Sequence, residues 1–108
     1  MSHYEERLER DLSLIKQQAS LLAKRVDDAL ATAVRALLSG DDKLAYATVL
    51  GDQRINAENR KLDRMCHAFI GVHLPSAGHL RLITAMMHAN VALERVGDYA
   101  VTIARESV

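Results

Sequence analysis

Along this chain the apolar positions recur every three or four residues with hardly a break, the spacing of helices that each bury one side. The first block predicts a helix over Tyr4–Ser39, with Leu8, Leu12, Ile15, Ala19, Leu22, Val26, Ala29, Ala33 and Ala36 on one seam. Leu14, Leu21, Leu30, Val34 and Leu37 widen that seam, as a helix touching two others requires. Such a helix is roughly 50 Å long. Gly40 supplies a left-handed cap at its end, and Asp41 an N-cap for the next helix, so the two are antiparallel neighbours. The second block predicts a helix over Asp42–His73 with the core series Leu44, Thr48, Gly51, Ile55, Glu58, Leu62, Met65, Phe69 and Val72. Pro75 stops it, and Ser76 caps a third helix that starts near Ala77 or Gly78 and runs to about Arg105.

The third helix carries the candidate chemistry. Leu82, Met86, Ala89, Leu93, Val96, Ala100 and Ile103 line one seam, and Leu80, Ile83, Met87, Val91 and Val101 form a second apolar group beside it. Glu94 and Asp98 project from the middle of that second group. Carboxylates four residues apart on a helix lie about 6 Å from each other and repel unless a cation or a proton intervenes. Taken alone, such a pair more often belongs to an ion-pair network with Arg or Lys of a neighbouring helix. The apolar setting favours a stronger partner, because acids are seldom buried without one.

The second helix offers the other half of a site. Asp52, Asn56, Asn59 and Asp63 form a polar stripe with the same three-four rhythm. If the helices are antiparallel about Pro75, Asp52 and Asp98 each lie about 23 residues from the turn and reach the same height. Glu94 then faces Asn56 or Asn59. Oxygen donors of this kind suit Mg²⁺, Mn²⁺ or iron better than a structural Zn²⁺, which prefers Cys and His. For Asn56 and Asn59 individually, a solvated polar stripe is the commoner outcome.

Composition narrows the class. The chain has 108 residues, 49% hydrophobic and only 4% aromatic, with one Pro and no Trp, which predicts an all-α protein: an antiparallel three-helix bundle forming a single domain over residues 1–108. Fourteen basic residues balance fourteen acidic ones, so bulk charge points to neither nucleic acid nor an anionic membrane. Cys66 is the sole cysteine, which rules out an internal disulfide and reads as a small apolar filler at the edge of the second helix's core. No signal-peptide pattern or membrane-length apolar run is seen, and a cytoplasmic location is expected. The five histidines include no pair at zinc-ligand spacing, and His67 and His73 read as surface or boundary residues. Neither a Gly-rich phosphate loop nor a Ser-His-Asp context is present, so hydrolase or kinase chemistry has no motif to rest on.

Three segments also carry a family resemblance: GDQRIN, then PSAGHLRLI, then LERVGDYAVTIAR. In order and distance they resemble the PhoU family of phosphate-uptake regulators, whose repeat ends in an L-E-R-[IV]-G-D signature, and the likeness runs from about Tyr4 to the end. The resemblance implies a helical bundle whose Glu/Asp-x-x-x-Asp motif binds divalent or trivalent metal ions (Fe, Mn, Mg or Zn), with Glu94 and Asp98 as ligands. Asp52, Asn56 and Asn59 join them as candidates from the facing stripe. It also implies a cytoplasmic regulator, not an enzyme, that contacts an ABC phosphate transporter and a membrane sensor kinase. Two positions depart from the family's usual pattern: His79 stands where Asp precedes the Leu-Arg pair, and Asn59 stands where Glu is usual, so each removes an acid. Family members generally carry two repeats, whereas this chain reaches only the first signature, either as a natural single repeat or as a fragment. The apolar face that a second repeat would cover predicts a homodimer. Two other readings stand beside this one. A metal-dependent carboxylate-bundle enzyme would usually add Glu-x-x-His ligands, which the chain lacks. A purely structural helical adaptor would have its acids ion-paired.

Overall fold

Caps set the limits of the helices. A computed structural model describes residues 2–108, which form α1 (His3–Ser39), α2 (Asp42–Val72) and α3 (Ala77–Glu106), with no strand among the described residues. Gly40 takes φ 71° and ψ 21°, and its N–H donates to the Ala36 carbonyl, so α1 ends on the left-handed cap its sequence calls for. The Asp41 carboxylate accepts from the N–H groups of Lys43 and Leu44, opening α2. Ser76 does the same for α3, accepting from the His79 N–H at 3.3 Å. Each predicted boundary lies within one residue of the observed one.

Each helix packs on both others in a rod 56 Å long and about 18 Å across, an all-α three-helix bundle. The α1 seam is buried much as its periodicity requires: Leu8, Leu12, Ile15, Leu22, Val26, Ala33 and Ala36 are inside, while Ala19 and Ala29 are half-buried. Gln18 joins them, buried on the α2 side, where its amide donates to both the backbone carbonyl and the carboxylate of Glu58. That contact satisfies the acid that interrupts the predicted α2 series.

The other two helices are rotated from the predicted seams. In α2 the buried line is Ala45, Thr48, Ile55, Asn59, Leu62, Cys66 and Phe69, whereas Gly51 and Val72 are exposed. In α3 the deepest residues are Ile83, Asn90, Gly97, Ala100, Val101 and Ala104. Leu82, Met86, Leu93, Val96 and Ile103 are half-buried along one shoulder of that line, Met87 lies on the other, and Ala89 is exposed. The cause is three-helix geometry. α3 touches two neighbours, so its innermost line runs between its two apolar groups, where the space is narrow and small residues fit. Gly97 is one of these small residues, and a Cβ there would sit 3.5 Å from Ile55 Cγ2, in ordinary contact.

His73, expected at the surface or boundary, is 1% exposed. As the C-cap of α2 its ring folds back on α1, where Nε2 lies 2.8 Å from Asp11 Oδ2 and the ring packs against Phe69 and edge-on to Tyr4. The Tyr4 hydroxyl accepts from the Leu74 N–H at 2.9 Å, tying the turn after α2 to the start of α1. Cys66 is fully buried, as a filler should be, and both burial and the nearby Asp63 carboxylate push its thiol pKa up, which keeps it unreactive.

Candidate functional site

The antiparallel crossing of α2 and α3 is held by a reciprocal pair of amides. Asn59 Nδ2 donates to Asn90 Oδ1 at 2.8 Å, and Asn90 Nδ2 donates to the Asn59 backbone carbonyl at 3.0 Å. Both side chains are buried, at 4% and 6% exposure. Fixed polar contacts between residues this deep set one register, because any slip along the helices leaves amides unpaired in the core. Seven residues back from Asn59 and seven on from Asn90, that register brings Asp52 level with Gly97, beside Asp98, as the antiparallel count from Pro75 predicts.

Above the amide pair lies an open hollow of about 710 Å³, lined by Asn56, Asn59, Arg60, Asp63 and Arg64 of α2 and by Asn90, Val91, Glu94 and Asp98 of α3. The structure therefore brings Glu94, Asp98, Asn56 and Asn59 to one place. It does not bring Asp52 there: that residue is not among the lining, its Oδ2 accepts from Asn56 Nδ2 at 3.2 Å, and its Oδ1 is buried without a partner. Glu94 and Asp98 are also exposed, not half-buried in an apolar face. The rotation of α3 puts Ile83 and Val101 of the second apolar group inside and leaves these acids on the rim with Val91.

Of the charged groups that line the hollow, Asp63 has a neighbour, its Oδ1 lying 3.5 Å from His67 Nδ1. Among the described residues neither Glu94 nor Asp98 makes an ion pair, nor do Arg60 and Arg64. Asn59 Oδ1 is buried and accepts no hydrogen bond, although its amide nitrogen is doubly engaged. An orphaned acceptor at that depth costs of order 1–3 kcal/mol unless something donates to it or is coordinated by it. The ion-paired adaptor reading therefore lacks its ion pairs.

Of these residues, Asn90, Arg60 and Arg64 escaped sequence reasoning. The two arginines are four apart and flank the polar stripe of α2, so their shared face was readable; their relation to Glu94 was not. Asn90 had one available signal, its spacing of seven from both Ile83 and Gly97. His79 stands apart from the hollow, with Nδ1 3.1 Å from the Ser76 hydroxyl and Nε2 3.7 Å from Glu9.

A second surface feature lies on the opposite side of α3. A shallow apolar groove of about 560 Å³ runs between α1 and α3, floored by Ala19, Ala23, Met86, Ala89, Ala92 and Leu93 with Lys16 and Ser20 at its edge. No described helix is long and apolar enough to cross a membrane.

The described residues thus form an all-α three-helix bundle with a charged, oxygen-rich hollow on one helix pair and an apolar groove on another. Residues 19–107 match the PhoU domain, and the chain belongs to the PhoU family. It is 35% identical over 101 residues to a phosphate-specific transport system accessory protein PhoU homolog of Pseudomonas putida, which accounts for 94% of this chain and 38% of that protein. A homolog of the same description from Aquifex aeolicus is 32% identical, covering 94% of this chain and 46% of that one. The phosphate-specific transport system accessory protein PhoU of Serratia marcescens is 29% identical, covering 98% and 44%. The chain thus spans less than half the length of these relatives. No solved structure matches it.

Proposed function

We propose that this protein is a regulatory binding module of a phosphate transport system, acting in the cytoplasm through contacts with an ABC phosphate transporter and its sensor kinase, and not as an enzyme. The observation that carries the reading is the match to the PhoU domain over residues 19–107, joined to relatives described as phosphate transport accessory proteins. Co-purification of the tagged chain with the transporter's ATP-hydrolysing subunit from its own cells tests it. Recovery of that subunit with the parent, and its absence from a tag-only control, is the expected result; absence from both overturns the contact.

The hollow is the module's proposed ligand site, with Glu94 and Asp98 as carboxylate donors and Asn59 Oδ1 as a neutral one. The unpaired carboxylates and the orphaned amide oxygen fit a hard, oxygen-seeking ion that keeps several waters, as Mg²⁺ and Mn²⁺ do. They do not fit a closed metal cluster, since no three His, Cys, Asp or Glu residues converge to hold an ion among the described residues. Asp52 and Asn56, bonded to each other, serve as outer support. Millimolar Mg²⁺ or Mn²⁺ should raise the melting temperature of the parent and leave Glu94→Gln/Asp98→Asn unmoved; binding to the folded state alone stabilises by about 2.7 kcal/mol at a hundredfold excess over Kd. Equal shifts in both proteins would remove these residues as ligands.

For the groove between α1 and α3 the proposed occupant is a second copy of the chain. Its apolar, small-residue lining is the kind of surface that helices approach closely, and the relatives carry more than as much chain again with which to cover the equivalent face.

A further inference from the structure

The two arginines of the hollow have no role in holding a cation, and like charge beside a metal site weakens it. Arg60 and Arg64 nevertheless lie one turn apart on α2, both exposed, both unpaired among the described residues, and both lining the cavity that Glu94 and Asp98 line from α3. Guanidinium groups so placed present paired donors to a tetrahedral oxyanion.

Charge decides the order of binding. With three carboxylates (Asp63, Glu94, Asp98) against two guanidiniums, the hollow carries one net negative charge and repels an anion. A divalent cation turns that into one net positive charge. The cavity, about 710 Å³, has room for a hydrated cation and a phosphate-sized anion together. Asn59, one of the residues that line the hollow, carries a buried Oδ1 with no hydrogen-bond partner, a free acceptor that does not depend on the surface charges.

We propose that the hollow takes inorganic phosphate and a divalent cation as one unit, with the cation on Glu94 and Asp98 and the anion on Arg60 and Arg64. This rests on the metal reading above and adds to it the identity of the second ligand. The phosphate displaces water from the cation, and neither ion binds tightly without the other. The site then reports the two ions jointly, and no covalent step is involved.

Titration calorimetry on the full chain with Mg²⁺ alone, phosphate alone, and each in the presence of the other tests this, after allowance for the complex the ions form in buffer. Phosphate alone should give no saturable heat. Saturating Mg²⁺ should raise phosphate affinity by a factor in the usual range of coupling, about 5- to 150-fold, and phosphate must raise Mg²⁺ affinity by the same factor. Arg60→Gln/Arg64→Gln should keep Mg²⁺ binding and lose the coupling, whereas Glu94→Gln/Asp98→Asn should lose Mg²⁺ binding and with it any dependence of phosphate binding on Mg²⁺. Circular dichroism of each variant confirms that it remains helical. Absence of Mg²⁺ binding by the parent would overturn the metal reading itself. Mg²⁺ binding that phosphate leaves unchanged, or that sulfate enhances equally, would overturn the phosphate assignment alone.

Discussion

Asn59 and Asn90 show how much a single pair of residues settles. Asn59 is only 4% exposed, and its amide meets a second amide 31 residues further on. A carboxylate there would need a cation close at hand, whereas an amide both donates and accepts within the protein. Replacing Asn90 by Ala strips the Asn59 side chain of its 2.8 Å acceptor and the Asn59 carbonyl of its donor. The expected cost is about 1–3 kcal/mol in urea denaturation. A loss below about 0.5 kcal/mol would mean that water reaches these groups and that the pair does not hold the register.

For a helix as a unit, rotation about its own axis is the quantity that matters. The continuous seam from Leu82 to Ile103 is real, but apart from Ala100 it forms one shoulder of α3, and the large side chain that is fully buried is Ile83. Ile83→Ala should therefore cost about 2–5 kcal/mol, and Leu93→Ala, on the half-buried shoulder, distinctly less. Equal losses, or the reverse order, would put the helix back in the rotation its leucine pattern implies. Gly97 belongs to the same argument. A methyl group there meets Ile55 Cγ2 at 3.5 Å, an ordinary contact, so Gly97→Ala should gain up to about 1 kcal/mol of helix propensity. A larger side chain would have to part the two helices. Thermal melts of the alanine variant check the sign, and destabilisation would show that α2 and α3 sit closer than 3.5 Å allows.

Taken whole, the rod exposes two different faces, a charged one between α2 and α3 and an apolar one between α1 and α3. Light scattering of the 108-residue chain should give a dimer at high concentration, and Ala92→Glu in the groove should yield a monomer with an unchanged melting transition at low concentration. A monomer in both cases would leave the groove to another partner. A dimer in both would place the interface elsewhere.

Three helices, their ends to within a residue and their antiparallel order were legible because they rest on local chemistry: three-four spacing, a glycine with positive φ, and Asp and Ser caps. The height of Asp98 relative to Asp52 was legible too, since an antiparallel turn fixes heights by counting. Which face of α2 and α3 points inward was not, because a helix in contact with two others buries the line between its apolar groups, and that line depends on where both neighbours sit. Only the packed structure could therefore put Glu94 and Asp98 on an exposed rim, keep Asp52 outside the hollow, draw His73 inward onto Asp11, and set Arg60 and Arg64 across from the acids. Periodicity is a property of one helix, whereas a site shared by two helices depends on how both are turned.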